Sequence, residues 1–210
     1  MSKYARIADP LPGEPTIVGG NSKIGAAANI SLLPGASCPK GVPCLKDCYD
    51  RKACRLYPPA RTVREDNTAA AKRPAQFMRG VGRQLAAAEE RGKLPRFFRW
   101  HVGGDFPSLS YMRRAIALAA KFPAVKFLAF TKRYDWASRI GDLPPNFSLI
   151  LSAWPGYAMS NPRGYRIAWM QDGTETRVPD DALECPGLCE SCGMCWSLES
   201  VGRDVVFHKH

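Results

Sequence analysis

The amino-acid sequence predicts a single α/β domain built on a parallel sheet. Two observations carry that prediction. Short apolar segments alternate with amphipathic ones along residues 28–170, and polar residues recur at the carboxyl end of each apolar segment. A third observation concerns chemistry: the eight cysteines fall into two tight groups, within residues 38–54 and 185–195, with none between them. At 210 residues, one core can still bury the whole chain.

Residues 1–27 are rich in glycine and proline and read as an irregular lead-in. "ANISLL" (28–33) is a short strand that runs into the first cysteine group. From Thr62 to Arg91 the pattern turns helical, and Pro74 starts a second helix at its first position, with Phe77, Val81 and Leu85 on one face. "RFFRWHV" (96–102) is a strand, "GGDFPS" a turn, and residues 108–122 a helix that points Leu109, Met112, Ile116 and Ala119 inward. "VKFLAF" (125–130) is a buried strand, residues 134–140 a short helix, and "FSLILSA" (147–153) another strand. "YRIAWM" (165–170) and "DVVF" (204–207) are weaker strands that bracket the last cysteines. The domain thus divides into lead-in, an α/β core over 28–170 with the first cysteine group, and a cysteine-rich segment over 171–210. Alternating strands and helices imply right-handed βαβ units, whose chemistry gathers at the carboxyl ends of the strands.

No apolar run approaches the ~18–20 residues of a membrane span, so no membrane partner is expected. The first residues lack an apolar signal core, which points to a cytoplasmic location. In a reducing cytoplasm, clustered cysteines are metal ligands rather than disulfides. The net charge of +11 is uneven: residues 61–100 hold ten Lys or Arg against four acids. Such a stretch attracts phosphates, so nucleic acid or a nucleotide is the expected partner, with a solvated helix face as the plain alternative. Arg79 and Arg83 are expected to project from that face.

The C-terminal group, Cys185, Cys189, Cys192 and Cys195, has the spacing C-x3-C-x2-C-x2-C. Structural zinc usually takes two knuckles a dozen or more residues apart. Successive three-residue steps instead suit a chain wrapped around a 4Fe–4S cluster, with zinc as the alternative at this site. The first group runs C-x5-C-x3-C-x5-C: Cys38, Cys44, Cys48 and Cys54. Three of these on a cluster would leave one iron open, whereas all four would make a closed structural site. Spacing leaves both open.

Cysteines after the first strand together with "VGGD" after the second resemble the radical-SAM enzymes. More closely, "SLLPGASCPKGVPCLKDCY", "FRWHVGGDF", "FLAFTKR" and "CPGLCESCGMCW" resemble a family of bacteriophage gene products with radical-SAM-like organisation. That resemblance implies a partial (βα) barrel, one 4Fe–4S cluster on Cys38, Cys44 and Cys48, and another on the last four cysteines. It also implies S-adenosylmethionine met by the turn of Gly103, Gly104 and Asp105, and a location in host cytoplasm. The first group departs from the superfamily's C-x3-C-x2-C spacing, and the turn carries Asp105 where that superfamily more often has Glu.

Further candidates sit at strand ends. His101 could face a substrate or be a satisfied core residue, and Asp105 could bind a ligand ammonium or help start the next helix. Lys132 and Arg133 could hold a carboxylate or phosphate, and Ser152 ends the strand beside them. His101, Asp105 and Lys132 are the catalytic candidates; Arg64 and Asn67, one helical turn apart, are weaker ones. His208 and His210 read as frayed. The expected function is a minimal radical-SAM-like enzyme acting on nucleic acid or nucleotides, supplied by an electron donor. The rival is a non-catalytic iron–sulfur or zinc protein that binds nucleic acid.

Overall fold

Seven strands, all parallel, form one sheet in the order β1-β2-β3-β4-β5-β7-β6 in the computed structural model, which describes residues 6–21, 24–197 and 201–208. The strands are β1 (Ala28–Ile30), β2 (Phe97–Trp100), β3 (Lys126–Thr131), β4 (Phe147–Ala153), β5 (Ile167–Gln171), β6 (Leu183–Glu184) and β7 (Val205–His208). The helices are α1 (Tyr49–Leu56), α2 (Pro58–Ala70), α3 (Pro74–Glu90), α4 (Leu109–Ala119), α5 (Tyr134–Ala137) and α6 (Cys189–Cys192). Strands β1 to β5 lie side by side in chain order, so each crossover from β1 to β4 carries helices over the sheet in the same sense.

That sense shows in the packing. Phe98 and Trp100 of β2, Phe127 and Ala129 of β3, and Leu149 and Leu151 of β4 share a core with Phe77, Val81 and Leu85 of α3 and Met112 and Ile116 of α4. The alternate positions, Phe97, Leu128, Phe130 and Ile150, form a second cluster with Trp196, Cys185, Cys189 and Cys195. Period-two alternation therefore sends one set of side chains to the helices and the other to the C-terminal cysteine segment. The segment is fastened by Trp196, whose indole Nε1 donates to the Phe98 carbonyl at 3.2 Å and whose ring lies 4.7 Å from that of Phe97.

Local signals explain most elements. Proline stands in the first turn of both α2 and α3, where its missing N–H costs no helical bond. Ser108 caps α4 by accepting from the Tyr111 N–H at 3.1 Å. Helix α2 begins at Pro58, earlier than the helical pattern from Thr62 indicates. Helix α1, inside the first cysteine group, has no sequence-based counterpart: only Asp50 and Cys54 of its residues are buried, too few for a periodic stripe. The lead-in is less irregular than its composition implies, because Val18 and Asn29 exchange backbone bonds of 2.9 and 2.8 Å and cover the β1 edge. At the far end β6 and β7 join the main sheet, and His208 closes β7 with Nε2 2.7 Å from Glu184 rather than fraying; His210 lies outside the described residues.

Candidate functional site

The first cysteine group, the Gly-Gly-Asp turn, the residues after β3 and the residues after β4 all lie at the carboxyl edge of the sheet. Burial pushes the Cys38 thiol up to about 11, and nearby charge on Asp105, Cys44 and Cys48 adds to the rise. Cys44 is raised by burial as well; the Lys132 ammonium, which hydrogen-bonds it, opposes the rise, and Cys48 and Asp105 reinforce it. Cys38, Cys44 and Cys48 thus share one electrostatic neighbourhood with Asp105 and Lys132. Cys54 stands apart. It is buried on α1, and the charges that act on it most strongly are those of Asp50 and Arg64. Among the described residues, no group of three or more His, Cys, Asp or Glu side chains is placed so as to hold a metal ion. The donors nevertheless suit one: mutual repulsion and burial disfavour several thiolates together, and a shared cation would relieve both.

Asp50 is a part of the site that sequence reasoning missed. Its carboxylate is buried beneath the turn and accepts a fork of bonds from Arg64, at 2.6 Å from Nη2 and 2.8 and 3.1 Å from Nε. Gly103 lies directly against it, and a Cβ there would stand 1.8 Å from Asp50 Oδ2. Gly104 adopts φ +84°, and a Cβ on it would come 2.4 Å from Ser37 Oγ. The turn is further sewn to the β1 loop by Gly103 N–H to Ser31 Oγ and Asp105 N–H to Ser37 Oγ, both 3.2 Å. Arg64 therefore serves the turn from below, while Asn67 clasps the lead-in through Thr16.

The carboxylate of Asp105 is buried and occupied. It accepts from the Phe106 N–H and Thr131 hydroxyl at 2.7 Å and from the Lys132 N–H at 2.9 Å. Burial raises its pKa, and those donors oppose the rise. Asp105 thus ties the turn after β2 to the end of β3, in place of the open ligand contact expected of it. Arg133 is likewise committed, donating to the carbonyls of Ser37 at 2.8 Å and Phe106 at 3.1 Å while stacking on Trp136. Lys132 remains at the mouth with its ammonium 5.4 Å from the Trp154 ring centroid. Ser152 contributes its carbonyl, which accepts from the Tyr134 hydroxyl at 2.5 Å. Tyr134 and Tyr157 both feel the charge of Cys44 and Asp105, so two tyrosines unmarked by any sequence motif border the site.

His101 lies elsewhere. A left-handed backbone, φ +55°, turns it into the aromatic cluster of Trp100, Phe106 and Tyr111, where its Nε2 is 3.3 Å from the Tyr111 hydroxyl. Burial pulls its pKa down to about 3, so the ring is neutral, and its Nδ1 has no partner among the described residues. The satisfied-core reading is half fulfilled: the ring is in the core, with one nitrogen bonded.

The last four cysteines line a single cavity with Arg99, Leu128, Phe130 and Phe207. Burial pushes Cys195 up to about 12, with Cys185, Cys189 and Cys192 raising it further and Arg99 opposing them. Gly193 ends α6 in the left-handed region, φ 61°, which lets the chain reverse between Cys192 and Cys195.

The basic stretch does not form one free surface. Arg61 pairs with Glu65, Arg64 with Asp50, and Arg83 with Glu14 at 2.6 Å, while Arg91 donates to the Ile7 carbonyl. Arg83, expected to project freely, is held at the lead-in instead.

Comparison with known proteins adds family membership. The family model described as "Gene product 88" matches residues 13–198. The chain is similar to the "Gene 88 protein" of Mycobacterium phage D29, at 26% identity over 214 residues, covering 84% of this chain and 86% of the relative. No solved structure matches. Among the described residues, no helix is long and apolar enough to cross a membrane.

Proposed function

The chain belongs to the Gene product 88 family, and from that premise we propose that it is an iron–sulfur protein, a minimal radical-SAM-like enzyme acting on nucleic acid or nucleotides. The observation that carries the reading is the sorting of the first four cysteines. Cys44 and Cys48 act on Cys38, and Cys48 acts on Cys44, beside the Gly-Gly-Asp turn, while Cys54 is buried on α1, where Asp50 and Arg64 act on it more strongly than Cys48 does. Sequential parallel strands with helices on one face support a partial-barrel description. Those three thiolates would hold a 4Fe–4S cluster, which would supply one-electron chemistry toward S-adenosylmethionine.

The chain's own residues prepare the surroundings. Asp105 fixes the mouth between β2 and β3 and so acts as a positioning residue. Lys132 over Trp154 offers a cation and an aromatic face, which suits a phosphate or carboxylate joined to a planar ring. Cys185, Cys189, Cys192 and Cys195 would hold a second centre, iron–sulfur or zinc, that braces the face opposite α3 and α4.

Variants of anaerobically reconstituted protein test the sorting. Cys54→Ala should keep its full iron and sulfide, whereas Cys44→Ala should lose about one cluster's worth and spare the C-terminal centre. S-adenosylmethionine should perturb the electron paramagnetic resonance spectrum of the reduced wild type. Iron lost in Cys54→Ala, together with a spectrum indifferent to S-adenosylmethionine, would leave a closed structural site and decide against the enzyme.

The nucleic-acid part of the reading rests on α1 rather than on residues 61–99. Tyr49, Leu56 and Tyr57 are half of the exposed large apolar side chains among the described residues. Exposed Arg51, Lys52 and Arg55 interleave with them, beside Cys48. Exposed rings among cations suit single-stranded nucleic acid, where stacking is worth about 1–3 kcal/mol per base. Binding of a single-stranded oligonucleotide should weaken on Tyr57→Ala. The double variant Lys52→Glu/Arg55→Glu should also flatten the salt dependence, by roughly 0.7 in log–log slope per lost phosphate contact. Charge reversal at Arg83, already paired with Glu14, should leave that slope alone. Equal slopes for wild type and the α1 double variant would remove nucleic acid from the reading.

A further inference from the structure

Arg99 is a cation where the fold has little use for one. It lies on β2, an interior strand, and alternation places it with Phe97 on the face away from the helices. Its Nε is buried without a hydrogen-bond partner, and none of the carboxylate pairs formed among the described residues includes it. Arg99 is half-buried, and a guanidinium with a buried Nε and no facing carboxylate costs free energy to the extent that it leaves water, because that loss is not matched by an opposite charge. Three other arginines set between elements are answered by acids: Arg64 by Asp50, Arg83 by Glu14, Arg177 by Glu175. Among the described residues Arg99 has the Phe130 ring, 4.9 Å from Cζ to centroid, which attracts the guanidinium but does not neutralise it.

What faces Arg99 is the C-terminal cysteine group. All four thiols line the same cavity, with Leu128, Phe130 and Phe207 as its apolar floor. We infer that Arg99 is the built-in counter-cation of a four-thiolate metal centre on Cys185, Cys189, Cys192 and Cys195. The inference rests on the metal-binding part of the proposed function, and it is indifferent to which metal is bound. Four thiolates around zinc, or around a 4Fe–4S core at its usual resting level, both leave a dianion. Loading releases the thiol protons to solvent and leaves an anion that needs a nearby positive charge. Arg99 comes from the middle of the sheet, so it acts through the centre's charge without being a ligand.

The charge argument makes a prediction of opposite sign in the two states. Removing an uncompensated cation should stabilise the metal-free chain and weaken metal binding. A residue that merely packs would destabilise the metal-free chain when shortened or replaced. The test uses the full chain carrying Cys44→Ser, so that the C-terminal group is the reporter, titrated anaerobically with cobalt(II) alone and followed by its thiolate charge-transfer band. Cys192→Ser in the same chain assigns the band.

In Arg99→Met, of similar length and no charge, the metal-free chain should unfold at higher denaturant while cobalt affinity falls at least tenfold. Arg99→Lys should recover most of the affinity. Cobalt affinity unchanged in Arg99→Met, or reduced equally in Arg99→Lys, would overturn the counter-cation. Destabilisation of the metal-free Arg99→Met chain would overturn it too, because it would show the arginine to be valued for packing. A chain that retains Arg99 yet shows no four-thiolate band would instead remove the metal centre itself, and with it that part of the proposed function.

Discussion

Gly103→Ala should abolish stable folding at ordinary temperature, or cut stability by more than about 3 kcal/mol, the cost of breaking a buried ion pair. The new methyl would sit 1.8 Å from one Asp50 oxygen and 2.2 Å from its carboxyl carbon. No rotation of a flexible side-chain end relieves that clash, because Asp50 is buried and gripped by Arg64 through three hydrogen bonds. Either the turn lifts off, breaking the bonds from Gly103 to Ser31 and from the Leu32 N–H to the Gly103 carbonyl, or the ion pair separates inside the protein. Overpacking alone costs about 1–3 kcal/mol, and separating the pair adds to it. Urea unfolding monitored by tryptophan fluorescence measures the effect. A Gly103→Ala midpoint close to wild type would mean that Asp50 does not occupy the space beneath the turn. The double variant Gly103→Ala/Asp50→Gly should regain part of the loss by vacating that space, while still leaving Arg64 without its partner.

The second large effect is on acid stability. His101 has its pKa pulled down to about 3 in the folded chain, and unfolding restores its ordinary value near 6.5. Between those values the unfolded state binds the proton and the folded state does not. Stability contributed by the neutral ring is therefore intact above about pH 6.5 and drains away as pH falls toward 3, at about 1.4 kcal/mol per pH unit and roughly 5 kcal/mol in all. Glu14 and Glu175, whose pKa values their arginine partners lower, lose stability in the same direction but below the ordinary carboxylate range. Over the interval from pH 6.5 to 5 the His101 contribution falls by about 2 kcal/mol, opposed by Asp105, whose raised pKa favours the folded state as pH falls, so the difference between wild type and a His101 variant reads the imidazole. Asparagine tolerates the left-handed backbone at this position. His101→Asn should start from lower stability and show a clearly shallower slope over that interval. An unchanged slope would mean that the imidazole reaches water and titrates normally.

How far the sequence could be read depended on whether a residue's role was written in its neighbours. Phe98 and Trp100 alternate with Phe97 and Arg99, so the β2 strand and its two faces were legible from four letters. The first cysteine group could be placed at a strand end, but the surroundings of each thiol are not contained in the spacing C-x5-C-x3-C-x5-C. The charges that act most strongly on Cys54 are those of Asp50 and Arg64, and Arg64 lies on the following helix. Helix α1 escaped notice because its register is fixed by a buried salt bridge rather than by an apolar stripe. Asp105 was singled out for its place after two glycines, as a ligand contact or a helix start, whereas its contacts run to Thr131 and Lys132 at the end of another strand, 26 and 27 residues on. Charge counting overstated the free basic surface between residues 61 and 99, since the acids that answer Arg64 and Arg83 lie outside that window.

The strand order has a bearing on how the chain is made. Synthesis proceeds from the N-terminus, and β1 to β5 can pair in the order in which they emerge, each against its predecessor. The helices of one face arrive between them, so that side of the sheet is covered as it forms. The other side is different. Phe97, Leu128, Phe130 and Ile150 have their cover in Trp196 and the cysteine segment, which leave the ribosome after five strands are already in place. A nascent chain therefore carries an apolar face toward water until residues 185–196 have emerged, the interval in which such a face is most open to wrong partners. The arrival of the final thiols and the closing of that face are one event.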